Sequence, residues 1–160
     1  MKNNFALTLY QNPQTVFTLK DLSLLFPDIL YTALKNKIHY AIHTGKLRKL
    51  RRGLYAKEGF DILEAANKIY TPSYVSLETI LTQAGIIFQT YSTMYLISYL
   101  TRRVIVGNLD LYYRKLKDEI LHNRKGILEG SNYSKATTER AFLDAVFLYK
   151  DYHFDNLRPL

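Results

Sequence analysis

GKLRKLRRGLYA, residues Gly45–Ala56, holds five basic residues, Lys46, Arg48, Lys49, Arg51 and Arg52, and no acid. Leu47, Leu50 and Leu54 punctuate it, so the stretch is not a disordered basic tail. Leu47–Arg51 predicts a strand, Arg52-Gly53 a tight turn, and Leu54-Tyr55-Ala56 a returning strand. A basic β-hairpin is therefore expected, and its meaning depends on what precedes it.

Immediately upstream, Ile29–Thr44 is the most periodic segment of the chain. Leu30, Leu34, Ile38, Ala41 and Ile42 recur at spacings of three and four and predict the buried side of a helix. Thr32, Lys35, Asn36, His39, Tyr40 and His43 collect on the opposite side. Gly45 stands where a helix terminator is expected. Earlier still, Phe5–Tyr10 predicts a short opening helix, and TLKDLSLLF (Thr18–Phe26) a second one. Thr18 is its expected cap, with Asp21 at capping-box spacing, and Leu19, Leu22, Leu25 and Phe26 form its apolar stripe. Pro27 stops that helix, and Asp28 is placed to cap the next. Three helices and a β-hairpin within residues 1–60 follow the order of a winged helix-turn-helix domain.

Asp61–Ile69 reads as a linker helix within residues 61–70, closed by Thr71-Pro72. Beyond it, Ser76 is placed to cap a helix over LETILTQAG (Leu77–Gly85). STMYLISYL (Ser92–Leu100), RVIV (Arg103–Val106) and LDLYYRKL (Leu109–Leu116) predict strands, with Gly107-Asn108 as a turn. Thr137 is the expected cap of a last helix, TERAFLDAVFLY, with Ala141, Phe142, Ala145, Val146 and Tyr149 on its buried side. The expected fold class is thus α/β (α+β): a winged helix over 1–60, a linker helix over 61–70, and a mixed α/β domain over 71–160.

Charge follows the same division. Residues 1–60 carry ten Lys/Arg against three Asp/Glu, and residues 61–160 twelve against eleven. That asymmetry points to a polyanion-binding module beside a neutral one. The chain has no cysteine, so disulfides and thiolate metal sites are excluded, and a cytoplasmic protein is expected. Met1-Lys2-Asn3-Asn4 does not open a secretory signal. Thr79–Leu100 carries no Lys, Arg, Asp or Glu, but its glutamines, serines and threonines make it too polar for a spanning helix, so no membrane partner is expected.

The outer helix face has side chains suited to double-stranded DNA. Asn pairs bidentately with adenine, Lys donates to guanine or phosphate, and Thr touches a thymine methyl. At the hairpin tip, Arg51 and Arg52 are expected to enter a minor groove or grip phosphates, while Lys46, Arg48 and Lys49 line the backbone. His39 and His43 have the i, i+4 spacing of two metal ligands, but the sequence offers no His-Glu-x-x-His motif and no third ligand. They are expected to contact DNA.

Two other classes compete. A metal-dependent nuclease would use Glu78 and Asp110 with Lys115 or Lys117, but the Asp-x(n)-Glu-x-Lys spacing is missing. Glu139 and Asp144, five apart, share no helix face. No Gly-rich phosphate loop or Gly-x-Ser-x-Gly turn occurs, so neither an enzyme nor a cofactor is expected. A protein-interaction or assembly module with non-specific DNA binding would present Tyr91, Tyr95, Tyr99, Tyr112 and Tyr113 to a partner. Alternating tyrosines fit cross-strand packing better, although this half is expected to mediate homodimerisation or assembly along DNA.

The segments FTLKDL (Phe17–Leu22), GKLRKLRRGLYA, YVSLETIL (Tyr74–Leu81) and ATTERAFLDAVFLY (Ala136–Tyr149) together resemble the AbiEi family of antitoxins from bacterial abortive-infection systems. The last is similar to the family's Ala-Thr-Pro-Glu-Lys-Ala-Leu-Leu-Asp pattern, with Thr138 at the proline. The resemblance implies a cytoplasmic repressor that binds the operator of its own operon. It also implies a nucleotidyltransferase-like toxin as functional partner, opposed without a stable complex.

Overall fold

The computed structural model describes residues 4–160, so Met1-Lys2-Asn3 lie outside the described residues. The chain divides into two compact units, Met1–Lys68 and Ile69–Leu160. Among the described residues no helix is long and apolar enough to cross a membrane.

The first unit runs α1 (Phe5–Gln11), β1 (Val16–Thr18), α2 (Leu19–Leu25), α3 (Tyr31–His43), β2 (Arg48–Arg51), β3 (Leu54–Ala56) and α4 (Ile62–Ile69). Its three strands pair in the order β1-β3-β2, all antiparallel, giving a winged helix-turn-helix. Leu9, Phe17, Leu22, Phe26, Leu34, Ile38, Ala41 and Leu47 form one core. Thr18 ends β1 and caps α2: its hydroxyl accepts from the Asp21 amide at 3.1 Å, and the Asp21 carboxylate accepts from the Thr18 amide at 2.8 Å. Both halves of the expected capping box are thus made.

Three expectations need correction here. β1 went unread, because a three-residue strand has no period of its own. Asp28 caps nothing: α3 starts at Tyr31, after Leu30, with no side-chain cap, and Leu30 itself is 78% exposed instead of joining the buried stripe. The helix expected as a linker belongs to the first unit. Glu64 of α4 is buried and accepts from the Thr15 amide at 2.9 Å, and Lys68 donates to Asp21 at 2.8 Å.

The second unit comprises β4 (Ser73–Val75), α5 (Leu77–Gln83), β5 (Thr93–Ser98), β6 (Arg102–Val106), β7 (Leu109–Lys115), α6 (Asp118–Leu121), β8 (Ile127–Glu129), β9 (Ser134–Ala136) and α7 (Thr138–Leu148). Its sheet has the order β6-β7-β5-β4-β9-β8, with β5–β7 and β4–β9 parallel and the other pairs antiparallel. Register places Tyr74, Thr93, Tyr95, Ile97, Asp110, Tyr112 and Arg114 on one face, and Leu96, Ser98, Leu111 and Tyr113 on the other. The Tyr74 hydroxyl reaches Asp144 of α7 at 3.0 Å, so α7 covers the first face.

The tyrosines do not form one surface. Tyr95 packs on Tyr91 and Tyr112, whereas Tyr113 is fully buried and meets Tyr70 edge-on with ring centres 4.9 Å apart. Two side-chain expectations also change. Ser76 makes no cap for α5, because its hydroxyl donates to Asp144 at 2.8 Å. Val146 is half exposed, while Arg140 and Asp144 take buried places on α7.

Candidate nucleic-acid interface

α3 buries Leu34, Ile38 and Ala41, one turn apart on a single side. That leaves Thr32, Lys35, Asn36, His39, Tyr40 and His43 all exposed on the remainder of the cylinder. The helix ends in a Schellman motif. Lys46 N–H donates to the Ala41 carbonyl at 2.8 Å and Gly45 N–H to Ile42 at 3.1 Å, with Gly45 at φ +70°. A residue with a Cβ would strain there, so glycine fixes the direction in which the chain leaves α3. Lys46 is held beside that end, its carbonyl accepting from the Tyr10 hydroxyl at 2.9 Å. Leu47, 3% exposed, pins the following strand to the core.

The hairpin is short. β2 is an edge strand whose register pairs Arg48 with Ala56, Lys49 with Tyr55 and Arg51 with Leu54, leaving Leu50 as the irregular position. Lys49 therefore shares the face of Tyr55 and Phe17, toward the helices, while Arg48 and Arg51 share the opposite one. Arg52 occupies the turn. The Gly53 carbonyl beside it accepts from the Leu19 amide at 3.2 Å, which ties the tip to the start of α2. All of Lys46, Arg48, Lys49, Arg51 and Arg52 are exposed, but they fan around the strand edge.

Two acids of this unit, Asp21 and Glu64, turn inward. Burial alone would raise the Asp21 carboxyl, but the Lys68 ammonium and the Thr18 amide outweigh it and hold it below its usual value. Glu64 is spent on Thr15. Lys57 is buried, donating to the Asn12 carbonyl, and desolvation pushes its ammonium down against the opposing pull of Glu64. Among the described residues of this unit, the exposed cations are Lys20, Lys35, Lys37, Lys46, Arg48, Lys49, Arg51 and Arg52. Among the described residues up to 60, only Asp28 and Glu58 present exposed carboxylates.

Two features were missed in the sequence. Lys35 lies with its ammonium 4.3 Å above the Tyr31 ring, a cation–π contact that holds it at the start of α3. Lys37, Asn36, Tyr40 and Lys46 border a groove of about 810 Å³ that is also lined by Phe5 and Phe26, whose rings stack at 4.6 Å. Lys37 was visible as a helix flank. Its groove needed the tertiary contact of α1 with α2.

In the second unit, Asp110 and Asp144 are both engaged. Asp110 accepts from Arg103 Nε at 2.8 Å and from the Thr93 hydroxyl at 2.6 Å, and these donors hold its carboxyl down at about 2. Asp144 is enclosed by Arg140, Ser76 and Tyr74. Among the described residues no group of three or more His, Asp or Glu is placed to hold a metal ion, and His39 and His43 are both exposed. No protein-family model matches the chain, and no curated protein matches it.

Proposed function

We propose that the first unit binds double-stranded DNA with sequence preference, and that the protein is an AbiEi-like antitoxin repressing its own toxin–antitoxin operon in the cytoplasm. The observation that supports the reading is the separation of charge within the winged helix. Its cations stand out on α2, α3 and the hairpin, while Asp21 and Glu64 are folded into internal bonds. Thr32, Asn36, His39 and His43 face base edges in a major groove, with Lys35 and Tyr40 at the margins. Arg48, Lys49, Arg51 and Arg52 grip phosphates on both sides of the wing edge. The protein works without catalysis or cofactor, as a homodimer opposing a nucleotidyltransferase-like toxin with which it forms no obligatory complex.

Footprinting on the region upstream of its own gene, repeated across a salt series, tests this. With about six phosphates neutralised per dimer, affinity falls roughly a thousandfold between about 50 and 200 mM salt. A flat salt titration eliminates the proposal. Mg²⁺-dependent cleavage of plasmid DNA, lost on Asp110→Ala, would replace it with a nuclease.

A further inference from the structure

Glu78 stands in the first turn of α5 and is 6% exposed. Its Oε2 is buried and has no hydrogen-bond partner. None of the ion pairs among the described residues includes it. The guanidinium of Arg114 is occupied: it donates to the Tyr149 hydroxyl at 3.2 Å and lies over the rings of Tyr112 and Tyr149. Arg103 is bound to Asp110. The hydroxyls of Tyr149 and Tyr152 lie in hydrogen-bonding range of the same carboxylate, and burial together with its negative charge makes both phenols harder to ionise.

Glu78 lines an open pocket of about 270 Å³ with Thr79, Thr82, Thr90, Tyr91 and Thr93. A carboxylate withdrawn from water without a counter-charge is a costly arrangement; the two phenols offset part of that cost, and a cation brought to it offsets more. The remaining lining narrows the choice of cation. Threonine hydroxyls accept from N–H donors, and the Tyr91 ring offers a π face to a positive charge. One carboxylate among neutral hydroxyls falls short of the several anionic oxygens a calcium site collects. The volume accommodates one charged head on an alkyl stem and little more.

We propose that the second unit binds an alkylammonium or alkylguanidinium group at Glu78, a ligand site separate from the DNA-binding face. The head pairs with the Glu78 carboxylate, and the stem lies along Thr82 and Tyr91. Two sources share this chemistry, a free amine such as agmatine and the Arg or Lys side chain of a peptide.

The chain has 14 Tyr and no Trp, so its intrinsic emission comes from tyrosine, with Tyr91 on the pocket lining among the emitters. The full-length protein is titrated with agmatine and, separately, with an end-blocked Gly-Arg-Gly peptide, following tyrosine emission and thermal midpoint. A saturable response to either cation is expected, and the arm that responds identifies the source. Glu78→Gln weakens it at least about tenfold, because it removes one partner of a buried charge pair. Tyr91→Ala, at a 40% exposed position on the rim, weakens it as well without disturbing the core. In the absence of cation, Glu78→Gln melts higher than the wild type, since it removes an uncompensated buried charge. Agmatine raises the midpoint of the wild type but not of the variant. No saturable response to either cation, or equal affinity in Glu78→Gln, overturns the proposal whatever the outcome of the DNA experiments.

Discussion

Arg140 and Asp144, one turn apart on α7, meet in a buried ion pair with Nε 3.0 Å from Oδ1. Each group also bonds away from its own helix. The Arg140 guanidinium donates to the carbonyls of Ile120, Asn123 and Lys125 at 2.7–2.8 Å, fastening the segment after β7 to α7. Asp144 collects the hydroxyls of Tyr74 and Ser76 from the end of β4. Removing one partner strands the other charge in the interior, so Arg140→Met or Asp144→Leu alone is expected to cost about 3–5 kcal/mol. Urea denaturation of both single variants and the double variant measures this. The double variant should lose less than the sum of the singles, because it strands no charge.

Gly126 approaches the same arginine closely. At φ +72°, a Cβ built there would sit 2.8 Å from the Arg140 Cβ and 3.3 Å from the Thr137 hydroxyl. Gly126→Ala therefore combines backbone strain with a clash against helix α7, and is expected to destabilise by about 1–3 kcal/mol. Thermal melts provide the check, and an unchanged midpoint would mean the loop yields freely.

Thr18→Ala removes the hydroxyl that caps α2 and is expected to cost about 1 kcal/mol. The cap is also sensitive to acid through Asp21. Its carboxyl is held below its usual value, so the stability it contributes is present above the ordinary carboxylate range and is lost as pH falls through the folded value. Lys68→Met should move that loss to higher pH, readable from denaturation midpoints measured between about pH 2 and 6.

Asp110 offers a direct titration. Arg103 and Thr93 hold its carboxyl at about 2, so Arg103→Gln or Thr93→Val should return it toward about 3.9, followed by NMR of the side-chain carboxyl carbon. Arg103 is 62% exposed, so water and salt screen the pair and the change in folding stability should be small. A value still near 2 in both variants would contradict these two donors as the cause.

At the proposed DNA surface, two variants should separate base reading from phosphate gripping. Asn36→Ala is expected to relax preference at one base position by about 1–3 kcal/mol. Arg52→Ala should weaken all sequences alike and lower the salt slope by about one. Binding across a mismatch panel at several salt concentrations distinguishes them, and identical profiles would refute the division of roles.

Much of the first unit was legible because its signals are local. The capping box joins Thr18 to Asp21 across three residues, the α3 period repeats within four, and Gly45 and Arg52-Gly53 mark turns by their backbone chemistry alone. These features need no distant partner, so composition and spacing carry them. β1, β4, β8 and β9 are three residues long, too short for alternation to show, and each exists because another strand supplies its hydrogen bonds.

The same limit governs side-chain roles. Ser76 has the chemistry of a cap, but its partner Asp144 lies 68 residues away; Glu64 finds Thr15 at a separation of 49. The irregular register at Leu50 brings Arg48 and Arg51, three apart, to one face and leaves Lys49 on the other, although composition alone lists them as equivalent charges. Which residues favour a helix, a turn or an exposed position follows from neighbours along the chain. Which charge finds a counter-charge, and which carboxylate is left without one at Glu78, follows from folding distant segments together, where burial makes each unpaired group costly.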